Sequence, residues 1–330
     1  MVRVDGAELL DRLRSPLGDE DLTGLVLVDC RTPGAAPGPT PGPAEVERLA
    51  AIPAVIAGHG RPGPGWLPAL DVLLDDADTA ALREAFDRNP IAATALALLL
   101  RGSERRTLGD GLVAESAVYS ALQAGPEFAR WRRAHPPRPK PEPDGTAVSV
   151  ARVGDRLCLT LDRPRVRNAF DVRMREDLLE ALAIAQADPG ISVEIRGAGP
   201  AFCAGGDLDE FGTRPDPASA HLVRLERSVG RVIASMAGRV TAYLHGGCYG
   251  SGIELPAFAG TVVAAPDTRI ALPEVGLGLV PGAGGTVSLV RRAGRHRVAW
   301  LALLGRPIDA RTALDWGLVD ELSGRSAAVP

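Results

Sequence analysis

Leu244-His-Gly-Gly-Cys-Tyr-Gly-Ser-Gly-Ile-Glu254, followed by Leu272-Pro-Glu274, is the stretch on which the reading of this 330-residue chain turns. The apolar run from Val240 to Leu244 reads as a strand. It enters a glycine-rich turn, and the turn opens a short helix with a carboxylate in its first turn. A second carboxylate follows another strand, read at Arg269 to Leu272, and a proline. Such a turn can aim unpaired backbone N–H groups at an oxygen that gains negative charge, while two acids manage water and protons. A second glycine turn, Phe202-Cys-Ala-Gly-Gly-Asp207, follows the strand read at Ser192 to Arg196. Glycine is needed where φ is positive or where a ligand must approach the backbone. Either turn alone reads as a tight bend. Two that converge can give one N–H each to a single oxyanion, and losing one such donor costs ~2.7–4 kcal/mol of transition-state stabilisation.

Composition narrows the class. The chain is 45% hydrophobic and 4% aromatic, and its net charge of −4 offers nucleic acid or an anionic membrane no electrostatic attraction. Lys140 is the single lysine, so any phosphate-bearing ligand must be held by arginine or backbone N–H. The four cysteines (Cys30, Cys158, Cys203, Cys248) are scattered without C-x-x-C spacing or paired histidines, which argues against zinc and against a disulfide framework. The N-terminus has no apolar core of signal-peptide length, and no run approaches the ~18 apolar residues of a membrane helix. The expectation is a soluble, cytoplasmic protein.

Four zones follow along the chain. Residues 1–77 form an unassigned α/β-like region with strand-like runs at Leu25–Val28, Ala54–Ala57 and Leu70–Leu74, crossed by the linker-like PGAAPGPTPGP of Pro33 to Pro43. Residues 78–134 are helical. Asp78 or Thr79 offers the first N-cap, Asn89-Pro90 a cap and first helical position, and further helices are read at Leu108 to Gln123 and from Pro126. The proline-rich residues 135–145 read as an extended linker. Residues 146–330 alternate strands with helices, the latter near 172–187, 216–236, 251–258, 284–292, 295–304 and 309–316, which is an α/β pattern.

Several signals have competing readings. Ser251-Gly-Ile-Glu254 is also a capping-box pattern, in which Glu254 would fold back on the Ser251 N–H. Ser251 as a nucleophile fails because a nucleophile elbow needs glycine where Tyr249 and Ile253 stand. Gly58-His-Gly60-Arg-Pro-Gly63 matches a dinucleotide fingerprint in form, but Pro62 and Pro64 forbid the regular helix that would receive a pyrophosphate. His245 reads as a packed histidine at a strand end.

Ala201-Phe-Cys-Ala-Gly-Gly-Asp-Leu208, Gly250-Ser-Gly-Ile-Glu-Leu255, Leu272 through Thr286 (LPEVGLGLVPGAGGT) and Leu304-Gly-Arg-Pro-Ile-Asp-Ala310 together resemble the crotonase family, the enoyl-CoA hydratase/isomerase superfamily, over about residues 148–322. Arg163-Pro164 with Asn168-Ala169 resembles its first strand-to-helix corner. The resemblance implies a spiral of ββα units that binds an acyl-CoA thioester, with coenzyme A arriving as part of the substrate and no other cofactor or metal. It places the thioester oxygen between the N–H groups of Ala204 and Ser251, and puts Glu254 and Glu274 on the positions of the two glutamates of the family's hydratases. Arg165, Arg167, Gly205, Gly206, Asp207, Leu208, Gly250, Pro273 and Gly282 fall on substrate-binding positions, with Val166, Leu208 and Phe211 walling the acyl pocket. The implied reaction is reversible hydration of a 2-enoyl-CoA. Isomerisation, thioester hydrolysis and a non-catalytic acyl-CoA-binding subunit are the alternatives, and the implied assembly is a homotrimer or hexamer.

The resemblance breaks at the ends. Family members continue past the region of Trp316-Gly-Leu-Val-Asp320 with helices that cover the acyl pocket, whereas this sequence ends at Pro330. Asn89-Pro-Ile-Ala, Leu108-Gly-Asp-Gly-Leu-Val-Ala-Glu115 and Gly125-Pro-Glu-Phe128 resemble those helices on the N-terminal side. The expectation is a permuted order in which residues 78–134 cover the site, in cis or on a neighbouring subunit.

Overall fold

The computed structural model describes residues 1–15, 22–30, 40–138, 145–214 and 216–323. The linker-like residues 31–39, most of the proline-rich run (139–144) and the last seven residues lie outside the described set.

The N-terminal third contains β1 (Val2–Asp5), α1 (Gly6–Arg14), β2 (Gly24–Cys30), α2 (Pro43–Ala51), β3 (Ala54–Gly60) and β4 (Val72–Leu74). Its four strands pair in sequence order, all parallel. Leu9, Leu13 and Leu49 of the two helices cover one face of this sheet with Val26, Val28 and Ile56. After β3 the chain enters a 3₁₀ turn at Pro64–Ala69, so no α-helix N-terminus faces the Gly58–Gly63 run. β1, α1 and α2 carry no strong sequence signal. Each is a short element whose stability comes from burial against the sheet rather than from propensity.

Four helices follow: α3 (Asp76–Arg88), α4 (Pro90–Arg101), α5 (Leu108–Gln123) and α6 (Pro126–Ala134). Two expected caps are corrected. Asp75, not Asp78 or Thr79, caps α3, accepting from the Asp78 N–H at 3.0 Å. The Asp78 carboxylate instead receives Trp300 Nε1 (2.7 Å) and Arg306 (3.0 Å) from the far end of the chain. Asn89 makes no side-chain cap; the Glu127 carboxylate of α6 takes the Ile91 and Ala92 N–H groups instead.

The C-terminal half is the spiral. It runs through β5 (Val148–Val153), β6 (Arg156–Leu161), α7 (Val172–Ala187), β7 (Ser192–Gly197), α8 (Pro217–Glu226), α9 (Val229–Ser235), β8 (Val240–Leu244), β9 (Gly247–Tyr249), α10 (Ser251–Glu254), β10 (Thr261–Ala264), β11 (Arg269–Ala271), α11 (Gly285–Ala293), α12 (Arg295–Leu304), β12 (Ile308–Asp309), α13 (Ala310–Asp315) and β13 (Glu321–Leu322). One sheet has the order β13-β10-β8-β7-β6-β5, parallel except where the edge hairpin β5–β6 closes it. A second layer joins β12, β11 and β9, and continues through the bridges Cys203–Cys248 and Phe170–Gly206. Each turn therefore places a strand in the first sheet, a shorter segment in the second layer, then a helix. The segment read as one helix over 216–236 is two, because Ser228 caps a fresh start at Val229 through the Arg231 N–H. Likewise 251–258 is α10 followed by a 3₁₀ turn at Pro256–Phe258.

The helical segment packs onto the spiral in cis. α5 lies against α8 and α11, α3 and α4 lie against α12, and Asn89 Nδ2 reaches the Val275 carbonyl at 2.8 Å. One buried network locks the N-terminal sheet to α4. Arg101 pairs with Asp71 at 2.7 Å and donates to the carbonyls of Leu49, Ile52 and Ala54, while Asp71 also accepts the Ile56 N–H. Removing one partner of a buried pair leaves an uncompensated charge. Arg101→Met is expected to destabilise the protein by about 3–5 kcal/mol in denaturant unfolding; a loss below about 1 kcal/mol would show that Arg295, 4.0 Å from Asp71, or solvent compensates its charge.

Candidate active site

Two loops at the ends of successive second-layer segments meet in one place. In the 202–207 loop the bridge to Phe170 uses the Gly205 carbonyl (2.8 Å) and the Asp207 N–H (2.9 Å), so the intervening Gly206 N–H points away from Phe170. In the next turn, Ser251 opens α10, where the first N–H groups of a helix have no internal acceptor. Neither the Gly206 nor the Ser251 N–H has a hydrogen-bond acceptor among the described residues, and both residues line the same cavity. The expectation that Ala204 is the first donor is corrected. Its N–H donates to the Arg167 carbonyl at 2.9 Å and is already committed.

Glu254 and Glu274 stand beside these donors, both buried. Gly250 has φ +48°, and a Cβ there would collide with Glu274 Oε1 and lie 3.7 Å from Glu254 Oε1. The two oxygens are therefore within about 6 Å of each other, a span one water bridges with two ordinary hydrogen bonds. The capping-box reading of Glu254 is corrected too. Its Oε2 turns away from Ser251 and accepts the Ala283 and Gly285 N–H groups, both at 2.8 Å.

A third acid completes the cluster. Glu115, from α5, accepts the Gly284 N–H (2.7 Å), the Thr286 N–H (2.8 Å) and the Thr286 hydroxyl (2.7 Å). Four consecutive N–H groups at the start of α11 are thus divided between two carboxylates, alternating in sequence. Burial dominates the titration of all three acids. It pushes Glu254 up to about 7 against the pull of the backbone donors. Burial and then the Glu254 charge push Glu115 up to about 8. Burial, followed by the Glu254 charge, also holds Glu274 well above the carboxylate range, and its Oε2 has no hydrogen-bond partner among the described residues. Glu254 thus has backbone donors to support a charge, whereas Glu274 Oε2 has none among the described residues.

The cavity has a volume of about 230 Å³, below the ~300–1,000 Å³ of typical ligand pockets. Of the residues expected at the site, Gly206, Asp207, Phe211, Gly282, Ser251, Glu254 and Glu274 line it. Gly250 sits behind the two acids, and Gly205 passes behind Gly206. Arg165, Val166, Arg167, Leu208 and Pro273 are exposed and lie outside the lining, so Val166 and Leu208 are corrected as pocket walls. Asp207 is held by Arg163, which also pairs with Asp171 at 2.8 Å. His245 is buried, with Nε2 on the Gly199 carbonyl. Sequence reasoning missed Gly206 as a donor, and it missed Glu115, Tyr119 and Leu112 from α5. The Tyr119 ring packs where any side chain on Gly282 would lie.

Residues 156–329 match the model of the enoyl-CoA hydratase/isomerase family, and the chain belongs to that family. It is 34% identical over 182 residues to a mevalonyl-coenzyme A hydratase of Beauveria bassiana, covering 52% of this chain and 65% of that protein. It is 35% identical over 169 residues to a 1,2-epoxyphenylacetyl-CoA isomerase of Escherichia coli, covering 49% and 64%. The chain thus spans somewhat less than two thirds of the length of these relatives. An enoyl-CoA hydratase structure from Thermoplasma volcanium superposes with a TM-score of 0.51 at 34% identity, covering 55% of this chain and 73% of that one. The family match begins after α6, so α5, the helix that supplies both Glu115 and Tyr119, lies outside it.

The acid cluster also sets a pH dependence of stability. Below the ordinary carboxylate range all three acids are protonated in both states. As pH rises, the unfolded chain releases protons that the folded site retains, so stability falls until the folded groups ionise as well. Each such acid contributes a slope of roughly 1.4 kcal/mol per pH unit in that window. Melting temperature is expected to fall between pH 5 and 8, and Glu274→Gln should make the fall shallower; an equally steep fall in the variant would contradict the burial of that acid.

Proposed function

We propose that the site adds water reversibly to a 2-enoyl-CoA thioester, using protein groups alone. The observation that carries this reading is the pair of buried glutamates, within one water's reach of each other, beside two backbone N–H groups without acceptors among the described residues. The thioester oxygen would accept from Gly206 and Ser251. Electron density drawn onto that oxygen polarises the C2=C3 bond and makes C3 electrophilic. Ionised Glu254 takes a proton from the water between the acids, and the oxygen bonds to C3. The π electrons pass to the thioester as an enolate, which the two N–H groups stabilise. Protonated Glu274 then delivers its proton to C2. Transfer of the proton from Glu254 to Glu274 restores the starting state, so one water is consumed in all.

The division of labour follows from the environments. Glu254 has two N–H donors on Oε2 to support its charge, and Glu274 has an unpartnered buried oxygen that favours the neutral acid. Hydration needs both acids; moving a double bond needs one to lift and return a proton. The intact pair therefore favours hydration over isomerisation. The exposed Arg165 and Arg167, beside the loop of Gly206, are proposed to meet the coenzyme A portion outside the cavity.

Incubation with crotonyl-CoA should remove the conjugated enoyl-thioester absorbance. Glu254→Gln and Glu274→Gln should each lower kcat/KM by roughly 10²–10⁴-fold, the usual worth of general acid–base catalysis. Bond migration without water uptake would mark an isomerase, and full activity in the double variant would end the proposal.

A further inference from the structure

We infer that the acyl end of this cavity is a carboxylate site, so that the thioester it selects carries a second, anionic carboxyl group on a short acyl chain, held by Arg224 and the Tyr119 hydroxyl. The inference rests on the acyl-thioester reading above and names the substrate class within it.

The cavity walls are mostly apolar, among them Leu112, Phe170, Val223, Val229 and Leu255. Four arginines border the cavity. Arg175 and Arg227 share the Glu176 carboxylate, and Arg214 is exposed. Arg224, on α8, is half-buried, and no carboxylate among the described residues pairs with it. Its Nε donates to Ser116 Oγ at 3.0 Å, and its Nη2 donates to the Ser116 carbonyl and Ser120 Oγ. Its Nη1 has no acceptor among the described residues. Ser116 is itself bonded to His221 Nδ1 (2.9 Å), so α5 holds the guanidinium in one orientation without neutralising it.

The guanidinium lies 4.6 Å from the Tyr119 ring centroid, and Tyr119 lines the same cavity. No hydrogen bond of the Tyr119 hydroxyl is made among the described residues. Two donors of adjacent side chains thus lack acceptors beside the cavity. Desolvation disfavours the Arg224 charge, a cost that an anionic ligand would offset through charge-assisted hydrogen bonds. Glu115 spends both oxygens, and Glu254 its Oε2, on the backbone of residues 283–286, and neither these acids nor Glu274 forms an ion pair with Arg224. Arg224 and Tyr119 line the same cavity of about 230 Å³ as Glu254 and Glu274, so the acyl chain that joins C3 to the carboxylate is short.

Saturated thioesters test this without requiring turnover. Calorimetry on the full-length protein would compare glutaryl-CoA with butyryl-CoA, which differ by a terminal carboxylate. The wild type is expected to bind glutaryl-CoA roughly tenfold or more tightly, the least that a charge-assisted pair should confer. Arg224→Met should bring that ratio to about one. Equal or reversed affinities in the wild type would overturn the proposal, whether or not the variant folds. So would equal weakening of both ligands in Arg224→Met, which would make Arg224 a phosphate contact or a tie between helices. Crotonyl-CoA turnover reads the hydration separately. A preserved glutaryl preference in a protein that does not hydrate would reject the reaction and keep the site, whereas binding of neither thioester would reject both.

Discussion

Four backbone N–H groups at the start of α11, shared in alternation by Glu254 and Glu115, hold the rest of the site together. A helix N-terminus leaves its first N–H groups unsatisfied and carries partial positive charge. Here that end of the helix supports two buried carboxyl groups from opposite halves of the chain. Glu254 is thereby aimed with one oxygen on the backbone and the other toward Glu274. Glu115 binds α5 over the cavity through the same segment, and with α5 come Tyr119, Leu112 and the serines that orient Arg224. The covering helices and the acid pair are thus coupled physically. If α5 moves, the loop that holds Glu254 loses half its acceptors.

The spiral explains why the donors meet. Each turn contributes one strand to the first sheet and one short segment to the second layer, so equivalent positions in successive turns stack. Gly206 ends the second-layer segment of one turn, and Ser251 follows that of the next. Asn168, fully buried, ties the first corner to the second by donating from Nδ2 to the carbonyls of Ala198, Ala201 and Phe202. Gly250 admits the acid pair because a side chain there would occupy the place of Glu274.

Much of this was legible in the sequence. The glycine turns, the two acids and the alternation of strands and helices followed from local chemistry, and Ser251 as a donor followed from the family resemblance. Ala204 was misassigned because the choice among successive N–H groups in Cys-Ala-Gly-Gly-Asp depends on strand pairing. Phe170 takes the Gly205 carbonyl and the Asp207 N–H, Arg167 takes the Ala204 N–H, and of the N–H groups left Gly206 is the one that lines the cavity. That register is a tertiary fact. Glu115 stood inside a quoted motif yet received no role, because its partners lie about 170 residues away. The family resemblance put Arg165 and Arg167 on substrate-binding positions, but the turn they occupy is exposed and lies outside the cavity lining. The first two helices were missed because short elements held by burial leave little periodic signal.

The most direct measurement is a crystal structure of the full chain with a saturated, unreactive acyl-CoA bound. The account requires the thioester oxygen at about 2.7–3.1 Å from both the Gly206 and Ser251 nitrogens, the distance of an oxyanion contact. It also requires C2 and C3 to lie against the space between Glu254 and Glu274. A thioester oxygen bonded to any other pair of groups, or an acyl chain lying outside the cavity beneath α5, would contradict it.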